Sequence, residues 1–160
     1  MSTTLANKID FEAIISVTNA NPNGDPLGGN RPRTDYDGFG EISDVCIKRK
    51  IRNRMQDSGH AIFVYDDGKN SLKDRAKSIG LEKITDAKEY HDIACDTWLD
   101  VRTFGQVFAF GNKNSDKEKS SDKEKKSKKS KEFVCSSVGV RGPVSIHLAK
   151  SADPVDIQSM

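Results

Sequence analysis

Residues 19–57 read NANPNGDPLGGNRPRTDYDGFGEISDVCIKRKIRNRMQD, and the rest of the chain is organised around them. The first part cannot sustain helix or sheet. Asn21, Pro22, Asn23, Gly24, Asp25 and Pro26, then Gly28, Gly29 and Asn30, all favour turns. Pro32, between Arg31 and Arg33, presents that pair on extended backbone. A loop of this length is uncommon unless it is functional or disordered. In the last part the period changes. Ile47, Ile51 and Met55 recur every four residues, which is the apolar stripe of an amphipathic helix, and Ser43 or Asp44 can cap its start. Lys48, Arg49 and Arg52 fall on one flank of that stripe, Lys50 and Arg54 on the other. With Arg31 and Arg33 they make seven cations within 24 residues, several of them beside glycine-rich backbone. Cations next to free backbone N–H groups are a phosphate-binding pattern.

Upstream, Ile9, Phe11, Ala13, Ile15 and Val17 alternate onto one face, and Ile14 adds an apolar group to the other, so residues 9–18 are expected to form a central strand. Downstream, Ala61 to Tyr65 reads as a second strand closed by an Asp-Gly turn. Residues 71–79 predict a short helix ended by Gly80, with Leu72, Ala76 and Ile79 on one side. A longer helix is expected over about 86–102, with Trp98 as a core anchor in its stripe. Gly105 ends it, and Val107 to Phe110 forms a short strand or packed loop. The segment 112–132 holds SDKEK twice, at 115–119 and 121–125, a polar duplication that cannot bury apolar surface and is expected to be disordered. Its apolar flanks, Phe108/Phe110 and Phe133/Val134, point to one hairpin or two adjacent strands with a lengthened connection. Val134, Val138 and Val140 are β-like, as are Val144, Ile146 and Leu148, with a bulge, edge or break at Pro143.

The chain of 160 residues suits one domain. Its net charge of +2 comes from residues 112–132; the remainder holds 17 basic and 19 acidic residues. Only local clustering, not overall charge, therefore speaks to partners. Cys46, Cys95 and Cys135 form no CxxC pair, and His60, His91 and His147 are scattered. No zinc site, disulfide framework or cofactor is expected, and the cysteines read as small core residues in a reducing cytoplasm. The N-terminus lacks signal-peptide regions, and no apolar run approaches the ~20 residues that span a bilayer.

The loop and basic helix, then DVRTFGQVFAF at 100–110 and SVGVRGPVSIHLAKSADPVDI at 137–157, resemble the backbone subunit of a type I CRISPR surveillance complex (Cascade), closest to subtype I-C, within the RAMP superfamily. The resemblance runs from about Ile9 to Ile157 and breaks at the lysine-rich insertion. It implies an α+β fold: a modified RNA-recognition-motif (ferredoxin-like) palm with inserted loops. Such subunits are longer than this chain, so residues 1–160 correspond to the N-terminal part of one such domain, incomplete at the C-terminus and marginal in stability by itself. The resemblance also implies partners: a CRISPR guide RNA (crRNA), target DNA through the guide, copies of the subunit itself and other Cascade subunits. The RNA-binding candidates are Asn23, Arg31, Arg33, Lys48, Arg49, Lys50, Arg52 and Arg54. Guide holding must be independent of sequence, so phosphate and sugar contacts should dominate. No RNP1-like motif occurs, and aromatic residues are few.

Two other functions compete with this reading. Some RAMP relatives are RNA endonucleases, and Asp25, Asp35, Asp37 and His60 are the candidates here. Asp25 and Asp37 adjoin Pro or Gly in turns, where aspartate is favoured for backbone geometry, and no base, nucleophile or metal constellation converges. No catalytic residue is therefore assigned. A basic protein-interaction module without nucleic acid would be told apart by the absence of co-purifying RNA.

Overall fold

Phe63 is fully buried, and the largest apolar cluster forms around it. Ala76, Leu81, Tyr90, Ala94, Trp98, Val101, Phe108, Val138 and Val140 complete this core. The Phe63 ring lies 4.6 Å from that of Trp98 and 5.0 Å from that of Phe108, in tilted geometries that aromatic pairs favour. The computed structural model describes residues 5–68, 70–109 and 137–158. It mixes helix and strand, an α+β chain, and divides into two compact units.

The core belongs to the unit formed by residues 44–147. Helix α1 spans Asp44–Asp57, with Ile47, Ile51 and Met55 half-buried. Helix α2 spans Leu72–Ser78 and opens on a capping box between Ser71 and Asp74. Gly80, at φ 78°, then turns the chain in the left-handed region. The helix expected over 86–102 is two helices: α3, Ala87–Thr97, and α4, Leu99–Phe104. Trp98 breaks the run, with extended backbone at φ −121°, while its side chain stays in the core. Strand β4, Gly105–Phe108, pairs antiparallel with β5, Val138–Arg141, in unbroken register. The expected hairpin is thus present at its base; Phe110, Phe133, Val134 and the segment 112–132 lie outside the described residues.

Ala61–Tyr65 is not a strand. Ile62 and Phe63 are buried as the apolar run requires, but the backbone of this segment bonds mainly to side chains and to the start of the helix at Leu99 rather than to a neighbouring strand.

The other unit comprises residues 1–43 and 148–160. A small ladder joins β1, Gly24–Asp25, to β2, Arg31–Pro32, around a 3-10 turn at Pro26–Gly28. Strand β3, Phe39–Ile42, pairs antiparallel with β6, Ala149–Pro154. Ile42 is the one buried residue among the described residues of this unit. Residues 9–18 form no strand, and Ile9, Phe11, Ile14, Ile15 and Val17 are all exposed. Alternation identifies side chains that share a face, but a strand also needs a backbone partner, and none of the described residues supplies one. Val144 and Ile146 likewise lie outside any strand; the pairing begins at Ala149, in a polar stretch without alternation.

Candidate functional site

The loop of the first unit is held by its own polar groups. The Asn23 side-chain oxygen accepts hydrogen bonds from the Ser43 N–H at 2.8 Å and the Ser43 hydroxyl at 2.9 Å. The Asn23 carbonyl accepts from the Arg33 N–H at 3.1 Å. Asn23, a candidate RNA ligand in the sequence, thus closes the loop onto the residue before α1. Asp25 accepts from the Leu27 N–H at 3.2 Å and shapes the 3-10 turn. Asp35 accepts from the Asp37 and Phe39 N–H groups at 3.0 and 2.9 Å and pairs with Lys150 at 2.5 Å. Above all the hydrogen bond from Lys150 holds the Asp35 carboxyl below its ordinary range and the Lys150 ammonium above its own. Two of the nuclease candidates are therefore engaged in turn geometry. Among the described residues no group of three His, Cys, Asp or Glu could hold a metal ion. Arg31 and Arg33 expose their side chains and have no hydrogen bond or ion pair from those side chains to the described residues.

In the second unit the cations of α1 divide. Lys48 pairs with Asp44, one turn earlier, at 3.2 Å, and its hydrogen bond is the main reason the Asp44 carboxyl titrates below its ordinary range. Arg49 donates to the Val64 carbonyl at 2.8 Å. Arg52 donates through Nε to Asp100 at 3.0 Å, and its guanidinium lies over the Phe104 ring at 5.0 Å. Asp100 is completely buried. Besides Arg52 it accepts from the Phe63 N–H at 2.7 Å and the Val64 N–H at 3.0 Å. Arg75, itself buried, donates to the Phe63 and Tyr65 carbonyls and to Asp67. One carboxylate and two guanidinium groups thus bond the backbone of Phe63, Val64 and Tyr65, and the Leu99 N–H donates to the Ala61 carbonyl, in place of a strand ladder. Lys50 and Arg54, one turn apart, remain exposed, with no side-chain partner among the described residues.

The basic helix expected from the sequence is present, but helical period does not say which of its cations are committed internally. Asp100 and Arg75 went unassigned in the sequence. Asp100 opens the D-x-R-x-F-G run that stands out there, whereas Arg75 looked like any polar residue of a short helix.

A model of the family described as CRISPR-associated protein Cas7 matches residues 7–160. The chain belongs to the Cas7 family. It is also 33% identical over 122 residues to the CRISPR-associated protein Cas7 of Haloferax volcanii. That similarity covers 71% of this chain and 36% of the relative, so the chain spans about a third of the length of that curated protein. Both the exposed cations of the loop and those of α1 lie within the part that matches the Cas7 model. No helix among the described residues is long and apolar enough to cross a membrane.

Proposed function

We propose that this Cas7-family chain is part of the backbone subunit of a type I-C CRISPR Cascade complex, which holds the guide RNA through its phosphates and sugars. The observation that carries this reading is the set of exposed cations without a side-chain partner among the described residues: Arg31 and Arg33 on the loop of one unit, Lys50 and Arg54 on α1 of the other. Contacts of this kind position a strand without reading its bases, as a subunit that accepts any guide requires. Copies of the subunit line up along one guide, other Cascade subunits join them, and target DNA pairs with the exposed bases. Asn23 and Arg52 hold the fold, and Arg49 and Lys48 are engaged within their own helix unit; none of the four is needed as a direct guide ligand. The exposed apolar residues of 9–17, which have no strand partner among the described residues, would join an RNA-recognition-type palm as a strand when a further strand pairs with them. Binding without cleavage is the expected activity, since the loop carboxylates Asp25 and Asp35 are occupied by turn N–H groups and Lys150.

The test is direct binding to two single-stranded RNAs of unrelated sequence, with divalent metal present and the RNA recovered afterwards. Similar affinities and intact RNA are expected. A strong preference for one sequence, or cleavage lost with Asp35→Asn, would overturn the reading.

A further inference from the structure

The β4–β5 hairpin has one face in the core and one open. Phe108, Val138 and Val140 point inward and are buried. The outer face carries Val107, 63% exposed, directly opposite Gly139, and Gly105 opposite the exposed Arg141. The three glycines here differ in kind. A Cβ at Gly142 would run into the backbone of Thr103, Phe104 and Gly105, and one at Gly105 would lie 2.5 Å from the Val140 carbonyl, so packing demands glycine at both. A Cβ at Gly139 would meet no atom of the described residues within 4 Å, and Gly139 is not at positive φ. Neither packing against the described residues nor backbone conformation calls for glycine there. The register past it is unbroken, so it marks no bulge. A glycine inside a strand weakens the strand, and where it marks no bulge it suits a place where a ligand or another backbone approaches closely.

We infer that the outer face of β4–β5, formed by Val107, Gly139 and Arg141, is a further contact site for single-stranded RNA. The inference rests on the reading of this chain as an RNA-holding subunit and extends it to a second element of the helical unit. Arg141 is a cation with no side-chain partner among the described residues, and its charge complements a phosphate. It lies two residues from Gly139, about 7 Å along the strand. A ribose laid on Val107 and the bare Gly139 backbone places its phosphate within reach of the guanidinium. The contact has no base-reading group and is independent of sequence, like the others.

The test pairs Gly139→Val with Arg141→Gln in the 160-residue chain, using labelled single-stranded RNAs of two unrelated sequences. Valine at 139 meets none of the described residues and suits a strand, so Gly139→Val should melt no lower than the parent. Its RNA affinity should nevertheless fall by about tenfold, the equivalent of one lost close contact. Arg141→Gln should flatten the slope of log affinity against log salt by about 0.7, the value for one single-strand phosphate. Arg141→Lys should restore that slope. Unchanged RNA binding in both variants, with the parent binding well, would overturn this site and leave the proposed function standing. Unchanged RNA binding with lost self-association would overturn it too, by giving the face to contacts between copies. A parent that binds no RNA would remove both.

Discussion

Asp100 shows how much one residue can organise. With no exposure, it accepts from two backbone N–H groups and from Arg52. Removing one partner of a buried pair leaves the other charge uncompensated, at a cost of about 3–5 kcal/mol. Arg52→Gln should therefore destabilise the helical unit by about 3 kcal/mol, measured by chemical denaturation of the whole chain. A loss below about 1 kcal/mol would mean that water reaches the Asp100 carboxylate and that the network is not structural. The adjoining glycine contact is a second residue-scale test. Gly142→Ala places a methyl group against backbone that cannot yield, and overpacking of this kind costs about 1–3 kcal/mol. Gly139→Ala, three residues earlier on open strand, should leave the melting temperature unchanged or raise it. Equal effects at the two positions would contradict the close approach of β4 and residue 142.

At the scale of elements, α1 was legible in the sequence and its orientation was not. Helical period separates Lys48, Arg49 and Arg52 from Lys50 and Arg54, as two flanks of one stripe. It does not say which flank meets protein, because arginine can lay its stem on apolar surface and carry its head to a buried acceptor. That acceptor, Asp100, is 48 residues from Arg52 in sequence. The strands show the same limit. The β4–β5 pairing follows from alternating valines and a glycine, whereas β6 is polar and is defined by backbone bonds to β3, of which sequence pattern carries no trace. Segment 9–18 has the pattern without the pairing. The β3–β6 element also carries a pH dependence. The Asp35 pKa is lowered by Lys150 and by backbone N–H groups, so the pair stabilises the fold above the ordinary aspartate value of 3.8. That stabilisation is lost as pH falls through the lowered value. Amide exchange of Phe39–Ile42 should quicken relative to α1 as pH drops from about 5 to about 2, after correction for intrinsic rates. In Asp35→Asn the difference should be present at every pH; an unaltered pH profile in that variant would assign the effect elsewhere.

For the molecule as a whole, net charge is a poor guide. Without residues 112–132 the chain is slightly acidic, yet it exposes four cations on its loop and α1 that have no side-chain partner among the described residues. Replacing 112–132 by a short Gly-Ser linker should change stability by about 1 kcal/mol or less, since loop closure depends weakly on length. RNA affinity should stay within about tenfold of the parent, and a larger loss would make those lysines part of the site. The central claim is that guide RNA is held by Arg31, Arg33, Lys50 and Arg54 through phosphates. Its most direct test is the salt dependence of RNA binding in the parent, in a variant with all four changed to Gln, and in Arg49→Gln. Each lost single-strand phosphate contact should flatten the slope of log affinity against log salt by about 0.7. The fourfold variant should therefore lose close to four times that, equally for RNAs of unrelated sequence, while Arg49→Gln keeps the parental slope. A fourfold variant with the parental slope, or an Arg49→Gln slope that falls as far, would contradict the account.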